Sequence, residues 1–387
     1  MRQILSYLKG DSVIWIITLL FLGLSILSVY SFVPILVKTE GGTPFKYLFK
    51  HFIYIVLGVL TMYWIHQKDP KYIAKLSKFG FYLAIFLLIF TFFFGVRVND
   101  AARWIRLPIV GLTFQTSDFA KLALVVYISK LMVNKEKVLN SWKEGFWPIV
   151  IPIIIICALI AKDNFSTAVI VFMVSLLLLF VGRVPVGKIL TFIGSGIAAL
   201  TLVVLTHLAI PAANLLPRFD TWMSRFFKAY GENADSIDNA QAINAELAIH
   251  NGGYFGVGVG SGKLKQYLPE AYADFYYSSF VEEFGLLFAV ILIFLYLILF
   301  YRILRIGLNA EKLFETYVCV GIGLLILSQA MINMMVCTGI MPVTGQNMPF
   351  LAMGGSAMIM SCISLGIVLS IANKKNPDNN VKTEIKS

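Results

Sequence analysis

The chain has 387 residues, of which 58% are hydrophobic and 14% charged, against roughly 45–50% and about 25% in soluble domains. With a mean hydropathy of +0.81, an ordinary soluble globule is excluded. The net charge of +11 does not carry nucleic-acid binding, because no basic cluster is interleaved with exposed aromatics on one soluble face.

Hydrophobic runs of about the 17–25 residues that cross a bilayer fall at 12–36, 51–66, 78–96, 117–133, 145–161, 166–182, 188–212, 276–302, 313–338 and 349–372. The expected fold class is an all-α polytopic membrane protein with about ten transmembrane helices. A large extracytoplasmic loop, 213–276, separates the seventh and eighth. The first run lacks a small-residue cleavage site and is too long for a signal peptide, so it is expected to remain as an anchor. With the N-terminus inside, inner segments collect nineteen Lys and Arg and the short outer loops seven. This asymmetry places both polar tails, 1–11 and 373–387, on the cytoplasmic side, around a membrane domain of 12–372.

In chain order, the first outer segment with chemistry is 97–116, carrying Asn99, Arg103, Trp104, Arg106 and Gln115. An isolated Arg–Trp pair reads first as an interfacial anchor. Next, Thr116 or Ser117 can cap the fourth helix, with Asp118 in its first turn and Lys121 three residues on. Lys121 has two readings there, a structural ion pair with Asp118 or a contact to an anionic substrate.

The 213–276 loop opens with Phe219, Trp222, Met223, Phe226, Phe227 and Tyr230 at helical spacing, opposite Arg218, Arg225 and Lys228. That pattern predicts an amphipathic helix lying in the interface. A second short helix is expected from Asn239 to His250. The following GGYFGVGVGSGK fits neither dinucleotide nor P-loop spacing, so its glycines are read as tight turns near a ligand or the bilayer. Lys263 and Lys265 follow, then YLPEAYADFYYSSFVEEFG, residues 267–285. Here Asp274 sits among Tyr272, Phe275, Tyr276 and Tyr277, and Glu282 and Glu283 fall within an apolar run. Carboxylates at the edge of hydrocarbon are costly unless paired, hydrated or used.

Metal and nucleophile chemistry find little support. His51, His66, His207 and His250 are scattered without ligand spacing, and no GxSxG occurs. Cys157, Cys319, Cys337 and Cys362 lie in or beside apolar runs and read as small packing residues.

Taken together and in order, these motifs resemble the SEDS (shape, elongation, division, sporulation) family, FtsW and RodA. The family's N-G-A-x-R-W-I and F-Q-P-S-E-x-A-K are similar to Asn99–Ile105 and Phe114–Lys121, and R-F-x-x-W to Arg218–Trp222. The glycine-rich signature resembles Gln241 through Gly260, L-P-E-A-H-T-D-F resembles Leu268–Phe275, and E-E-F-G is Glu282–Gly285. P-V-T-G-x-x-x-P-F with G-G-S matches Pro342–Phe350 and Gly354–Ser356. The chain departs from the pattern at Tyr272 and Ala273 (usually His, Thr), at Thr116 and Asp118 (Pro, Glu), at Asp100 (Gly), and at Lys162–Asn164, where Q-P-D is usual. The Glu-Ala before the Asp motif and the compact tails look closer to FtsW than to RodA.

The resemblance implies a peptidoglycan glycosyltransferase that polymerises lipid II at the outer face of the cytoplasmic membrane, for septal wall synthesis in division. The GlcNAc 4-hydroxyl of the acceptor would displace undecaprenyl pyrophosphate from the donor's MurNAc C1 with inversion. A glycosidase needs two carboxyls because its leaving sugar must be protonated. A pyrophosphate needs only screening, so one base plus cations suffices.

Asp274 is the expected base, with Glu270 its nearest competitor. Its ordinary pKa near ~3.9 is low for that role, and an aromatic membrane edge would raise it. Arg103, Lys121, Arg218 and Lys263 are the candidate cations. Trp104 either stacks on sugar or holds the interface, and Gln346, Thr344 and Ser356 either line the site or pack. Glu282 lies eight residues beyond Asp274, about 12 Å along a continuous helix, so with Glu283 it is expected to cap, pair with Lys or Arg, or help hold a divalent cation such as Mg or Mn. No motif requires that metal. Partners implied are a class B penicillin-binding protein and other divisome or elongasome membrane proteins. The rivals are a lipid II flippase, an elongation-type polymerase and a non-catalytic scaffold.

Overall fold

The computed structural model describes residues 10–98, 101–106, 113–209, 237–268 and 270–374. The interfacial helix expected over 217–230, with Arg218, lies outside the described residues, as do Asn99 and most of both tails.

The helices run α1 Ser12–Glu40, α2 Pro44–His66, α3 Pro70–Phe94, α4 Thr116–Asn134, α5 Trp147–Ala161, α6 Phe165–Val181 and α7 Val186–Ala209, then α8 Ile237–Gly252, α9 Tyr276–Leu308, α10 Leu313–Cys337 and α11 Gly355–Lys374. Among the described residues, eight segments are long and apolar enough to span a bilayer. The shorter apolar α6 and the charge-bearing α4 fall on the two remaining expected runs, and α8 lies in the stretch between the seventh and eighth.

Two helices begin earlier than their apolar runs. α2 and α3 start at Pro44 and Pro70, prolines in the first turn, where a fixed φ and a missing N–H cost nothing. Asp69 caps α3 by accepting from the Lys71 amide at 2.9 Å. Hydropathy marks only the part in hydrocarbon, whereas the helix continues into the headgroup layer. The last span begins later, at Gly355, because Pro349–Gly354 is irregular and Phe350 takes a φ of 66°.

The segment after α3 is ordered as a small antiparallel sheet, β1 Val96–Val98, β2 Ala101–Arg106 and β3 Thr113–Gln115, in the order β1-β2-β3. Its register pairs Trp104 with Gln115, Ile105 with Phe114 and Arg106 with Thr113. A sequence reading as plain loop missed it, although Val96, Val98, Trp104, Ile105 and Phe114 are strand-favouring types.

Among the described residues, two large buried clusters make most of the core, with a small third one around Leu22, Tyr54, Ile55 and Met358. Of the large ones, one joins α1, α9, α10 and α11, and the other joins α4, α5 and α6. α10 serves both: Val318, Cys319 and Ile322 face the first, while Tyr317, Val320 and Leu325 face the second. It is the strut between the halves. α7 is the least buried span, presenting Leu190, Ile197, Leu202 and Leu205 outward, as a helix solvated by lipid can.

Candidate active site

α9 is not continuous. At Gly285 the backbone takes φ 83° and ψ 170°, dividing a buried stub, Tyr276–Phe284, from the long apolar span. A break inside a membrane helix leaves carbonyls and amides unpaired, which hydrocarbon does not tolerate. The glycine loop supplies them. Val257 N and Gly258 N donate to the Glu282 and Glu283 carbonyls at 2.9 and 3.1 Å, while Leu286 N and Leu287 N donate to the Gly253 and Tyr254 carbonyls at 2.9 and 3.2 Å. This needs backbone-to-backbone approach. A Cβ on Gly252 would lie 2.1 Å from the Val281 carbonyl oxygen, one on Gly256 2.2 Å from that of Glu283, and one on Gly285 2.4 Å from the Gly256 amide. The glycines expected to make tight turns near a ligand or the bilayer are thus the splint of a broken helix.

The break also separates the carboxylates. Asp274 lies before the helix, in the turn 270–275, where its amide bonds the Glu270 carbonyl at 3.0 Å. The continuous-helix spacing between Asp274 and Glu282 therefore does not apply. Glu282 is fully buried, and its Oε1 accepts from Asn251 Nδ2, Lys263 N and Leu264 N at 3.0, 2.9 and 3.1 Å. Glu283 pairs with Lys265, both being buried, and Ser31 of α1 joins them. Lys265 Nζ also donates to the Ser31 carbonyl at 3.0 Å. Sequence reasoning passed over Lys265 in favour of Lys263, whose side chain is exposed.

Around Asp274 the chain converges. Asn333, 1% exposed near the end of α10, donates through Nδ2 to the Asp274 and Gln346 carbonyls at 2.9 and 2.8 Å. Its Oδ1 accepts from Tyr277 N at 3.3 Å. One amide therefore holds the Asp274 turn against the segment 342–349. Met353 N donates to the Tyr272 carbonyl at 2.9 Å, a second stitch. Gly345, at φ 68°, marks where the two meet: a Cβ there would sit 3.5 Å from Asp274 Oδ2 and 3.9 Å from Arg103 Nη1. A carboxylate oxygen and a guanidinium nitrogen thus flank the open Cβ position of Gly345. Arg103 is held in turn by donating from Nε to the Asp163 carbonyl at 3.2 Å. The Lys162–Asn164 corner therefore has a positioning contact, and Asn164 Oδ1 caps α6 on the Thr167 amide at 3.1 Å. Strand alternation turns Trp104 to the other face of β2.

The remaining candidates take structural partners. Lys121 lies 2.8 Å from Asp118, both buried. Asp118 Oδ2 also accepts from Ser356 Oγ at 3.2 Å, and Ser356 Oγ accepts from Gln115 N at 3.1 Å. Gln346 is buried, with Nε2 2.6 Å from Thr167 Oγ1. Glu270 is exposed at φ 53°. Among the described residues no group of three His, Cys, Asp or Glu is assembled to hold a metal.

The fold and this site describe a multi-pass membrane protein with a carboxylate–guanidinium pair at one end of the bundle. The family profile for cell cycle proteins of the FtsW, RodA and SpoVE type matches residues 11–377, and the chain belongs to that family. A relative from Geobacter sp. (strain M18), named probable peptidoglycan glycosyltransferase FtsW, is 30% identical over 97% of this chain and 99% of its own. One of the same name from Coxiella burnetii (strain RSA 493 / Nine Mile phase I) is 31% identical over 94% of this chain and 96% of its own. A solved chain, described under the structural coordination of polymerization and crosslinking by a peptidoglycan synthase complex, superposes with a TM-score of 0.74. It is 21% identical, covering 95% of this chain and 98% of that one.

Proposed function

We propose that this protein is a peptidoglycan glycosyltransferase that polymerises lipid II, with Asp274 as general base and Arg103 as the cation beside it. The observation that carries this reading is the convergence of both side chains on Gly345. In the reaction, the acceptor's 4-hydroxyl passes its proton to Asp274, and its oxygen attacks the donor's C1 from the face opposite the pyrophosphate. The C1–O bond breaks with inversion, and the diphosphate leaves with the electron pair. Arg103 meets the charge that builds on the departing group. Lys121 and Lys265, each tied to a buried carboxylate, hold the scaffold and leave the screening to Arg103 and other outer-face cations.

In this reading both termini are cytoplasmic, the site faces outward, and the protein works at the division septum. Its partner is a class B penicillin-binding protein, which supplies the crosslinking of peptides that the described residues have no nucleophile motif for. The test is lipid II polymerisation by purified, correctly inserted Asp274→Asn protein, with glycan strands resolved on a gel. Loss of at least about a hundredfold is expected, the scale of a positioned base. Undiminished synthesis would move the base elsewhere, and lipid II flipping without polymerisation by the wild-type protein would replace the enzyme with a carrier.

A further inference from the structure

At the end of the bundle away from Asp274 lies a cleft of about 860 Å³ between the N-terminus of α3, the C-terminal part of α4 and the N-terminus of α10. Each of these helices delivers its other end toward the candidate active site: α3 through β1 and β2 to Arg103, α4 at Thr116 and Ser117, which line a small cavity with Arg103, and α10 at Asn333. The 25 residues of α3 put the two sites about 37 Å apart along the helix axis. The cleft therefore opens at the opposite membrane boundary and belongs to different chemistry.

Five lysines line it: Lys71, Lys75, Lys78, Lys130 and Lys312. Lys71 is matched by Asp69 at 3.1 Å, and the only carboxylate in the lining, Glu315, is matched by Lys374 at 3.1 Å. Among the described residues, no carboxylate lies within ion-pair distance of Lys75, Lys78, Lys130 or Lys312. No side chain caps the α10 N-terminus, which adds a partial positive charge to the same space. α4 ends here with the opposite dipole, yet brings Lys130 in its last turns. Four unmatched cations around one concavity repel one another unless an anion joins them. Beside the cleft, α3 exposes Tyr72, Leu76 and Phe79, so apolar surface adjoins the charge, as an acyl chain requires.

We infer that this cleft binds the anionic phosphate headgroup of a membrane phospholipid, with the chains lying along the exposed face of α3. Free phosphate would use the same lysines, but it would gain nothing from Tyr72, Leu76 and Phe79. The site is independent of the glycosyltransferase reading and stands or falls without it.

The test is native mass spectrometry of the full chain in mild detergent, titrated separately with phosphatidylglycerol, phosphatidylcholine and inorganic phosphate. Phosphatidylglycerol is expected to be retained at a concentration at least about tenfold below that for phosphatidylcholine. The variant carrying Lys75→Gln, Lys78→Gln, Lys130→Gln and Lys312→Gln should lose this preference, and the matching Lys→Arg variant should keep it. Should the fourfold Gln variant fold poorly, the four single Lys→Gln proteins are read in its place, each about fivefold weaker. Changing Lys38 and Lys46 to Gln at the other membrane boundary should leave retention unchanged. Equal retention of the two lipids overturns the proposal, as does an undiminished preference in the Gln variants. Displacement of phosphatidylglycerol by an equal concentration of inorganic phosphate would assign the cleft to a free anion and overturn the lipid.

Discussion

Asn333 shows how much a single amide can decide. Buried polar side chains within a span are expensive unless every group is used, and this one bonds two carbonyls and one amide around Asp274. Asn333→Leu should therefore reduce polymerisation more than it reduces the melting temperature, since the α10 helix itself survives the change. Comparing turnover with thermal unfolding of the same preparation checks this. Gly345→Ala is expected to lower activity as well, because its left-handed backbone resists a Cβ by about 1–2 kcal/mol, and that Cβ would point at Asp274 and Arg103. The Lys265–Glu283 pair is a different case. Lys265→Met strands a buried carboxylate and should cost about 3–5 kcal/mol, while Lys265→Met with Glu283→Leu should recover much of the loss. A double-mutant cycle on chemical or thermal unfolding reads the coupling directly.

Among the elements, the broken helix α9 and its glycine splint behave as one unit. Glycine-rich loops usually exchange their amide hydrogens quickly. Here Val257, Gly258, Leu286 and Leu287 donate across the break, so hydrogen-exchange mass spectrometry should find the peptides spanning them protected. Gly256→Ala should abolish that protection, because its Cβ would overlap the backbone of Glu283 and Phe284, and backbone cannot rotate away as a side chain can. Rapid exchange in the unaltered protein would show that the splint does not hold in solution.

For the whole molecule, α10 connects the two large buried clusters and also reaches both proposed sites, Asn333 at one end and the lysine cleft at the other. The arrangement requires Lys263 and Lys75 to face opposite sides of the membrane. In intact cells, a cysteine replacing Lys263 should react with an impermeant thiol reagent, and one replacing Lys75 should react only after permeabilisation. The reverse pattern would invert the topology and overturn the proposed outer-face site.

Spans and chemistry were legible for different reasons. Apolar runs announce membrane spans because each must hide its own backbone from hydrocarbon, a local demand written in composition. Asp274 and Arg103 stood out as polar groups beside long apolar stretches. Their meeting at Gly345 was not readable, because it depends on the chain returning from positions more than sixty residues apart in either direction. The same limit hid Asn333, one of several polar residues in a mostly apolar run, and made Lys263 look equal to Lys265, although only Lys265 is carried into the core beside Glu283. Composition decides which segments leave water. Which of the remaining polar groups become partners is decided by packing, since a few ångströms of approach between distant segments determine whether a charge is matched, exposed or available for chemistry.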